Sequence, residues 1–372
     1  MMRIGITGQE GFIGQHLYNT LGLYPKEFLR VEYHRDFFDS EEKLNKFVSE
    51  CDVVVHLAAL NRHNDAQFIY DTNKKLVEKL ISSLTFTRSK AHVLFSSSSQ
   101  EEHDNLYGRS KKEGRQLLSN WAENNGGCFT GMVIPNVFGP FCKPNYNSFI
   151  ATFCHKLTHN ELPNIEVDSD VKLIYIDDLV SFILKKIRAR DGAEVVTVPY
   201  TERRKVSEFL VLLEDYKIQY FQLGIIPALN TPFEINLFNT FRSYIDHDRH
   251  FPIKFALHAD QRGKFVEIVR LKSGGQVSFS TTFPGVVRGN HFHTRKIERF
   301  SVIKGEALIQ LRQIGTNEVL DFFLSGEEPA YVDMPIWYTH NIKNIGTDEL
   351  YTLFWINECF DPANPDTYME NV

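Results

Sequence analysis

Residues 285–305 have the sequence GVVRGNHFHTRKIERFSVIKG, and three side chains in this stretch are of types that bind metal ions. His291 and His293 are separated by one residue, so on a β-strand both imidazoles project from the same face. Glu298 follows after a short turn, and His340 lies further along, in the segment PIWYTHNIKN. Three imidazoles and a carboxylate suit zinc, iron, nickel or manganese. The pattern predicts a metal site, and the alternative is a β-hairpin with solvated histidines.

The spacing of these residues resembles the two cupin motifs. The first motif is matched by Gly285, His291, His293, Glu298 and Gly305, and the second by Pro335, His340 and Asn344. Trp337 stands where the second motif usually has a glycine. The resemblance implies a small double-stranded β-barrel. It also implies a metal ion, expected to be Zn²⁺, held by His291, His293, Glu298 and His340.

A second resemblance concerns residues 288–291 alone. Their sequence, Arg-Gly-Asn-His, is similar to the Arg-Gly-x-His of deoxysugar 3,5-epimerases, in which the histidine is a base and no metal takes part. In this chain His293 replaces the glutamine that is usual in those enzymes, which favours the metal site.

The chain has 372 residues, a formal net charge of −6 and five cysteines. At about 100–200 residues per domain, this length predicts two or three domains. The negative charge argues against general nucleic-acid binding, which requires a basic face. No apolar run approaches the roughly 20 residues of a membrane span. The cysteines lack CxxC spacing and the first residues predict a strand rather than a signal peptide, so we expect a cytoplasmic protein with reduced thiols.

A glycine-rich loop follows the first predicted strand, MMRIGITG. The loop contains Gly8, Gly11, Phe12, Ile13 and Gly14, and the residues after it predict a helix. Glycines let the backbone approach a pyrophosphate, and the first turn of a helix offers it free N–H groups. The order of strand, glycine loop and helix therefore predicts a dinucleotide site, although many strand–helix turns also carry two glycines.

The end of the next predicted strand, FLRVEYHR, bears on the choice of cofactor. A carboxylate at this position selects NAD, whereas a basic residue near the 2′-phosphate selects NADP. Here the strand ends in His34 and Arg35, so we expect NADPH, with both residues as phosphate contacts. Asp36 follows and is expected near the adenine. The alternative for Arg35 is a solvated side chain at a strand end.

Tyr107 and Lys111 are four residues apart in a predicted helix, so they lie on one helical face. A nearby ammonium group stabilises a phenolate and lowers the pKa of the tyrosine, which lets it act as an acid or base near neutral pH. The preceding strand, AHVLFSSSSQ, ends in four serines, and a serine hydroxyl there can polarise a carbonyl. A lone Tyr-x-x-x-Lys occurs by chance in most proteins. Its position after the serines, within a glycine-loop domain, favours a catalytic pair.

The order of predicted elements changes near residue 248. Before it, strands alternate with helices, which predicts a parallel sheet. After it, short strands recur about every eight to twelve residues with Gly, Asn and Pro in the turns, which predicts a β-sandwich or barrel. We therefore expect a Rossmann-type, doubly wound α/β domain over residues 1–248, followed by an all-β cupin barrel over residues 249–372.

The first domain resembles the extended short-chain dehydrogenase/reductase family over most of its length. The matching motifs are Thr7-Gly8-x-x-Gly11-Phe12-Ile13-Gly14, His56-Leu57-Ala58-Ala59, Ser96-Ser97-Ser98, Tyr107-x-x-x-Lys111, Pro135-Asn136-Val137-Phe138-Gly139-Pro140 and Tyr175-Ile176-Asp177-Asp178-Leu179. The resemblance implies that Ser98 is the catalytic serine, Tyr107 the acid or base and Lys111 its partner. Ser97 and Ser99 are alternatives to Ser98. The resemblance also implies cofactor contacts from Leu57, Ala58, Ala59, Tyr107 and Lys111.

A reductase of this kind followed by a cupin resembles the bifunctional enzymes of capsular polysaccharide synthesis. That resemblance implies that the cupin epimerises C3 of a UDP-2-acetamido-2,6-dideoxy-4-keto-hexose. The reductase would then reduce C4 with NADPH to give UDP-2-acetamido-2,6-dideoxy-L-talose, on the route to UDP-N-acetyl-L-fucosamine. It also implies a homodimer. The alternatives are a single-activity enzyme with a structural, dimerising cupin, a regulator that binds sugar nucleotides, and an epimerase or dehydratase that recycles NAD.

Overall fold

The computed structural model describes residues 1–190 and 193–372, which group into two compact units. The first unit comprises residues 1–152 and 167–206, and the second comprises residues 153–166 and 207–372. Residues 207–248, assigned above to the first domain, thus lie in the second unit. There Arg242 donates a hydrogen bond to the carbonyl of Met334 at 2.9 Å, and Tyr220 donates one to Asp333 at 2.8 Å. The predicted domain boundary at residue 248 stays a prediction.

The first unit alternates strands and helices along the chain. Its elements are β1 (Met2–Thr7), α1 (Phe12–Gly22), β2 (Phe28–Val31), α2 (Glu41–Glu50), β3 (Val53–His56), α3 (Ala66–Phe86), β4 (His92–Ser98), α4 (Leu106–Asn125), β5 (Cys128–Ile134), β6 (Asn136–Phe138), β7 (Asp170–Tyr175), α6 (Ile176–Ala189), β8 (Ala193–Thr197) and β9 (Glu202–Lys205). Two further helices, α5 (Phe149–Thr158) and α7 (Val206–Tyr216), begin in this unit and end in the other.

Six parallel strands form the main sheet, in the order β2-β1-β3-β4-β5-β8. Helices α2, α3 and α4 pack along one another, and α1 packs against α6. The central strand β3 is completely buried, as its apolar sequence predicts. The strand order reverses at β1, which lies between β2 and β3. In open sheets of this kind, ligands bind beyond the carboxyl ends of the strands at such a switch point.

The second unit is mostly β-structure, preceded by short helices. Its elements are α8 (Pro232–Arg242), α9 (His247–His250), β10 (Ile253–Lys254), β11 (Leu257–Asp260), β12 (Gly263–Val266), β13 (Gln276–Thr282), β14 (Val287–Phe292), β15 (Glu298–Lys304), β16 (Glu306–Gln313), β17 (Val319–Ser325), β18 (Ala330–Met334), β19 (Tyr338–Asn344), β20 (Leu350–Ile356) and β21 (Tyr368–Met369).

Residues 253–372 are called the β domain. Most of its strands form two five-stranded antiparallel sheets, in the orders β10-β18-β15-β20-β13 and β17-β16-β19-β14-β21, and β11 pairs with β12 separately. Alternate residues of their strands are apolar and share one core, which includes Phe300, Val302, Ile309, Phe322 and Ile342. The predicted change from α/β to all-β structure is therefore confirmed. Within residues 1–190 and 193–372, none of the helices combines the length and apolar character needed to cross a bilayer.

Candidate functional site

Two glycines of the glycine-rich loop that leads from β1 into α1, Gly8 and Gly14, leave no room for a side chain. Gly8 has φ +75°, and a Cβ there would lie 2.8 Å from the backbone nitrogen of Ala58. A Cβ at Gly14 would lie 2.3 Å from the carbonyl oxygen of Gly8. Helix α1 begins at Phe12, and no side chain of the described residues caps it. The loop therefore leaves the first N–H groups of α1 open to a pyrophosphate.

A cavity of about 970 Å³ opens beside this loop, within the first unit. Its wall contains most of the residues predicted to bind the cofactor, namely Gly8, Gly11, Phe12, Ile13, Gly14, Arg35, Leu57, Ala58 and Ala59. The predicted catalytic residues Ser98, Tyr107 and Lys111 line the same cavity. The fold thus brings together the glycine loop and the serine, tyrosine and lysine, which are far apart in the sequence.

Strand β2 ends at Val31, so His34 lies beyond it and Arg35 begins a 3₁₀ turn, Arg35–Asp39, instead of ending the strand as predicted. The side chains of these residues differ in where they point. Arg35 lies in the cavity wall and forms no ion pair with any described residue. The side chain of His34 is 2.9 Å from Glu32, and Asp36 accepts a hydrogen bond from Lys43 at 2.5 Å. Neither His34 nor Asp36 belongs to the part of the wall that the described residues form. Of the three predicted contacts, the structure therefore places only Arg35 at the cavity.

The four serines at the end of β4 are not equivalent. Ser96 donates to a backbone carbonyl at 3.2 Å, and Ser97 donates to a carboxylate. Ser98 accepts a hydrogen bond from the backbone N–H of Gln100 at 3.2 Å, which leaves its own hydroxyl proton available. Ser99 lies outside the described cavity wall. The geometry therefore favours Ser98 over its neighbours as the residue that contacts a substrate carbonyl.

Tyr107 and Lys111 lie together on the first turns of α4. The Lys111 ammonium is 5.8 Å from the centre of the Tyr107 ring and donates to the carbonyl of Ser96 at 3.0 Å. Burial lowers the pKa of Lys111 to about 8 and raises the pKa of Tyr107 to about 12. The lower tyrosine pKa expected from the nearby lysine is thus not found in the protein alone, because burial disfavours the phenolate. Tyr107 keeps its proton at neutral pH, as a proton donor must.

Two sets of side-chain contacts support this site, and neither pairing is evident from the local sequence. Glu101 accepts the hydrogen bond from Ser97 and forms an ion pair with Arg115 at 2.6 Å. At the ends of the neighbouring strands β1 and β3, the Thr7 hydroxyl lies 2.7 Å from Nδ1 of His56. Both pairs join residues on different elements, so they emerge only when the strands and helices pack.

The rim of the cavity includes a loop that the sequence analysis did not assign to the site. Lys143 and Tyr146 lie in the wall, in the Pro- and Asn-containing loop after β6. Arg62 donates to the carbonyls of Asn145 and Tyr146 at 3.2 and 3.0 Å, which fastens this loop. Its position beyond the carboxyl end of a parallel strand was the available signal, because ligand-binding loops concentrate there.

The four predicted metal ligands come together in the β domain. One nitrogen or oxygen atom from each of His291, His293, Glu298 and His340 lies within 4.8 Å of the others. His291 on β14 is paired directly with His340 on β19, and Glu298 is the first residue of β15. Both sheets therefore contribute ligands to one cluster.

The hydrogen bonds around the cluster leave its ligand atoms free. Nδ1 of His293 donates to the backbone carbonyl of Asp366, and Nδ1 of His340 donates to that of Tyr338 at 3.2 Å. Their Nε2 atoms, which carry lone pairs when the rings are neutral, lie 3.2 and 3.3 Å from Oε2 of Glu298. None of these three atoms has a hydrogen-bond partner among the described residues. Buried nitrogen and oxygen atoms that lack hydrogen-bond partners and converge in this way fit the coordination of a divalent cation.

The charge states of His291 and Glu298 also suit a metal. Burial, together with the neighbouring imidazoles, lowers the pKa of His291 to about 4, so this ring is neutral at pH 7. Burial alone would raise the pKa of Glu298, but its contacts with His293 and His340 hold that pKa below its ordinary value. A neutral imidazole and an ionised carboxylate are the forms that coordinate metals.

Trp337 occupies a position where the second cupin motif usually has glycine. Its φ of +61° is in the left-handed region that glycine favours. Its backbone N–H donates to the carbonyl of His293 at 2.7 Å, and its ring stacks on Phe292 with centroids 5.6 Å apart. The hydrogen bond and the ring stacking therefore stabilise a left-handed backbone conformation at Trp337 that a glycine would adopt without strain.

Family models match both parts of the chain. Residues 4–198 match the NAD dependent epimerase/dehydratase family, and residues 258–368 match the polysaccharide biosynthesis C-terminal domain. A UDP-2-acetamido-2,6-beta-L-arabino-hexul-4-ose reductase of Pseudomonas aeruginosa PA103 is 32% identical, over 99% of this chain and 98% of its own length. The spore coat polysaccharide biosynthesis protein SpsL of Bacillus subtilis 168 is 28% identical over 30% of this chain and 82% of its own.

Solved structures resemble the chain as well. The capsular polysaccharide assembling protein CapF from Staphylococcus aureus is 36% identical, with a TM-score of 0.65 and complete coverage of both chains. RMD from Pseudomonas aeruginosa, in complex with NADPH, covers 59% of this chain and 84% of its own at 20% identity and a TM-score of 0.54, and so shares the fold. One family model spans just over half of the residues, and relatives above 30% identity cover the whole chain. The chain therefore belongs to the NAD dependent epimerase/dehydratase family, among the CapF-like members that carry a polysaccharide biosynthesis C-terminal domain.

Proposed function

We propose that this chain catalyses two successive steps on a UDP-activated deoxy amino sugar. The β domain epimerises C3 of a UDP-2-acetamido-2,6-dideoxy-4-keto-hexose, and the first unit then reduces C4 with NADPH. The product is UDP-2-acetamido-2,6-dideoxy-L-talose, on the route to UDP-N-acetyl-L-fucosamine for capsule or O-antigen. The observation that carries the proposal is the presence of two chemically different sites in one chain. One is the cavity with Ser98, Tyr107 and Lys111, and the other is the histidine and glutamate cluster.

Reduction at C4 requires a proton for the ketone oxygen. Tyr107 supplies it, because burial keeps the pKa of its hydroxyl at about 12 and so keeps it protonated until the oxygen gains charge. Ser98 has a free hydroxyl proton to donate to the same oxygen. Lys111 is still charged at pH 7 with a pKa of about 8, and it stabilises the phenolate that Tyr107 becomes. The nicotinamide, when bound, supplies the hydride.

The cofactor proposed for this step is NADPH rather than NADH. Arg35 stands in the cavity wall, in the 3₁₀ turn that follows β2, and forms no ion pair with an acidic residue within residues 1–190 or 193–372. A guanidinium there suits the 2′-phosphate, whereas the ribose hydroxyls of NAD call for a carboxylate. The relatives reported above support a nicotinamide cofactor, and Arg35 supports the phosphorylated form.

Epimerisation at C3 follows from the chemistry of the substrate. The ketone at C4 makes the neighbouring C3 proton acidic, so this proton can be removed and returned on the opposite face. A divalent cation on the four ligands would draw electron density from the ketone. We propose Zn²⁺, because three neutral imidazoles and a carboxylate are among its usual ligands. The convergence of all four side chains supports this site over the metal-free arrangement that residues 288–291 alone suggest.

We further infer that two copies of the chain associate along β13. This strand is at the edge of its sheet, and its outward side chains Val277 and Phe279 are 57% and 55% exposed. An edge strand with apolar residues on its solvent side is a ready surface for another chain. A second copy can pair with the same strand about a two-fold axis, which places these side chains beside their counterparts on one continuous sheet and shields part of their surface from water.

The two activities can be separated in one assay. The 4-keto UDP-sugar is incubated with the chain in D₂O without NADPH, and NMR follows the entry of deuterium at C3. NADPH is then added, and its oxidation is followed by absorbance. The proposal expects exchange at C3 in the first stage and oxidation of NADPH only in the second.

Variants assign each activity to its site. Tyr107→Phe should slow oxidation of NADPH by about 10²–10⁴-fold, because the proton donor is lost, and should leave exchange at C3 unchanged. His291→Ala should abolish exchange while NADPH still binds. Tyr200→Phe and His258→Ala, both at exposed positions of the same units, serve as matched controls. Reduction that survives Tyr107→Phe would refute the assigned donor. If exchange at C3 survives His291→Ala, the metal cluster is not the epimerase site, and the β domain has a structural role instead.

A further inference from the structure

The C-terminal segment after β20, residues 357–372, contacts the strands that carry the metal ligands. We propose that Asp366 in this segment is a positioning residue of the metal centre, which sets the orientation of His293 and the distance between His293 and Glu298. The inference rests on the metal site proposed above and extends it to a residue outside the ligand set.

The carboxylate of Asp366 binds the loop that joins two of the ligands. Oδ1 accepts hydrogen bonds from the backbone N–H and the hydroxyl of Thr294, at 3.1 and 2.6 Å. Oδ2 accepts from the backbone N–H groups of Arg295 and Lys296, at 3.0 and 3.1 Å. Asp366 is only 3% exposed, so water does not weaken these bonds. Three consecutive N–H groups immediately after His293 are thus held by one side chain.

The backbone carbonyl of the same residue orients the ligand itself. It accepts the Nδ1–H of His293, which fixes the tautomer of this ring and directs Nε2 towards Glu298. Asp366 has φ +43°, a left-handed conformation that aspartate tolerates better than most residues. In this conformation the carboxylate reaches the loop and the carbonyl reaches His293. A displacement of Asp366 therefore displaces both.

The segment is anchored on each side of the cluster. Strand β21 pairs with β14, with Met369 opposite the ligand His291. Glu370 then donates its N–H to the carbonyl of Asn290 at 3.0 Å and accepts the hydroxyl proton of Thr339 at 2.5 Å. Thr339 precedes the ligand His340. The position of Asp366 is thus set by strands that carry the other ligands, so the carboxylate is a fixed support.

The removal of such support loosens the metal site without removing a ligand. Partners of metal-bound histidines typically contribute about 10–100-fold to metal affinity. Asp366→Asn keeps the shape of the side chain and tolerates the left-handed backbone. Its amide NH₂ group, however, would replace one carboxylate oxygen and cannot accept the hydrogen bonds that this oxygen accepts. Asp366→Gly keeps the backbone conformation and removes the carboxylate entirely. Asp361→Asn, at an exposed position of the same segment, is the control for loss of one negative charge.

The experiment measures metal binding by the full chain rather than its activity. The metal-free proteins are titrated with Zn²⁺ in competition with a chromogenic chelator, and with Co²⁺ while the visible d–d absorption is recorded. We expect the Zn²⁺ Kd to rise about 10–100-fold in Asp366→Asn and Asp366→Gly. We also expect a changed Co²⁺ spectrum, because His293 is no longer held in one orientation. Asp361→Asn should match the unmodified chain in both measurements.

The outcomes separate this inference from the proposed function. Unchanged Zn²⁺ affinity and Co²⁺ spectra in both Asp366 variants would overturn the role of Asp366 and leave the metal site standing. An unmodified chain that binds neither metal would overturn both. Circular dichroism and NADPH binding show whether each variant is folded. If Asp366→Gly does not fold, the comparison of Asp366→Asn with Asp361→Asn decides.

Discussion

Residues that are adjacent in the sequence can differ in whether their side chains are available for chemistry. Ser97 and Ser98 are adjacent, yet Ser97 donates to Glu101 while the hydroxyl proton of Ser98 stays available. His34 and Arg35 are also adjacent, and only Arg35 faces the cavity. In both pairs, the contacts of each side chain decide whether it is available to a ligand. These contacts also determine which protons and charges the ligand would meet.

The first prediction concerns cofactor choice and belongs to this scale. Arg35→Ala should raise the KM for NADPH about 10–100-fold, because a charge-assisted contact with the 2′-phosphate contributes about 1.5–3 kcal/mol. The KM for NADH should not change, since NADH lacks that phosphate. Initial rates with each cofactor check the result, with Lys43→Ala as the control because Lys43 pairs with Asp36 and lies outside the described wall. Equal changes for both cofactors would contradict the assignment.

At the scale of elements, the turn after β4 and helix α4 act as one unit. Ser98 caps the short 3₁₀ turn Ser99–Glu102, and Tyr107 lies in the first turn of α4. The two meet at Gly108, where a Cβ would lie 2.0 Å from the carbonyl oxygen of Gln100. The close approach fixes the serine relative to the tyrosine. Glycine is required there for space rather than for an unusual φ.

The second prediction tests this contact. Gly108→Ala should destabilise the first unit by about 1–3 kcal/mol, because the added methyl group must push the turn away from the helix. The turnover number for reduction should fall more than the KM for NADPH rises, since the glycine loop is not touched. Thermal unfolding and steady-state kinetics provide the measurements. Gly274→Ala has open space around its Cβ and should be neutral. A fully active and stable Gly108→Ala enzyme would refute the argument.

At the scale of the whole molecule, each compact unit holds its own complete set of reactive groups. The cavity residues lie within residues 8–148 and the metal cluster within residues 291–340. In the proposed function, a ketone that first acidifies C3 and is then reduced links the two sets chemically. An exposed apolar edge on the β domain adds a third feature that neither site requires.

The third prediction concerns that edge. Phe279→Lys should convert a dimer into a monomer, because two copies of β13 would then bring like charges close together across the paired strands in place of apolar contact. Sedimentation velocity or light scattering gives the mass. Phe86→Lys places the same change at a highly exposed phenylalanine of the first unit and should leave the mass unchanged. A monomeric unmodified chain, or a dimeric Phe279→Lys variant, would remove β13 as the interface.

Local sequence patterns predicted the fold class of both parts of the chain. The alternation of strands and helices, the later rhythm of short strands, and the glycine loop all depend on backbone geometry over a few residues, and all are confirmed. The metal ligands were also named from spacing, because alternate residues on a strand share a face. The cofactor contacts of His34 and Asp36 stay predictions. In the structure His34 lies beside Glu32 and Asp36 beside Lys43, outside the described cavity wall.

The sequence by itself determined the two fold classes, the reactive residue types and the order of the two sites, because each follows from short-range periodicity and from the conformations open to glycine. Only the tertiary structure decided which serine keeps a free proton, and that burial raises the pKa of Tyr107 instead of lowering it. It alone brought Asp366 to His293 across 73 residues of chain. Such features depend on desolvation and on contacts between distant segments, which exist only once the chain has packed.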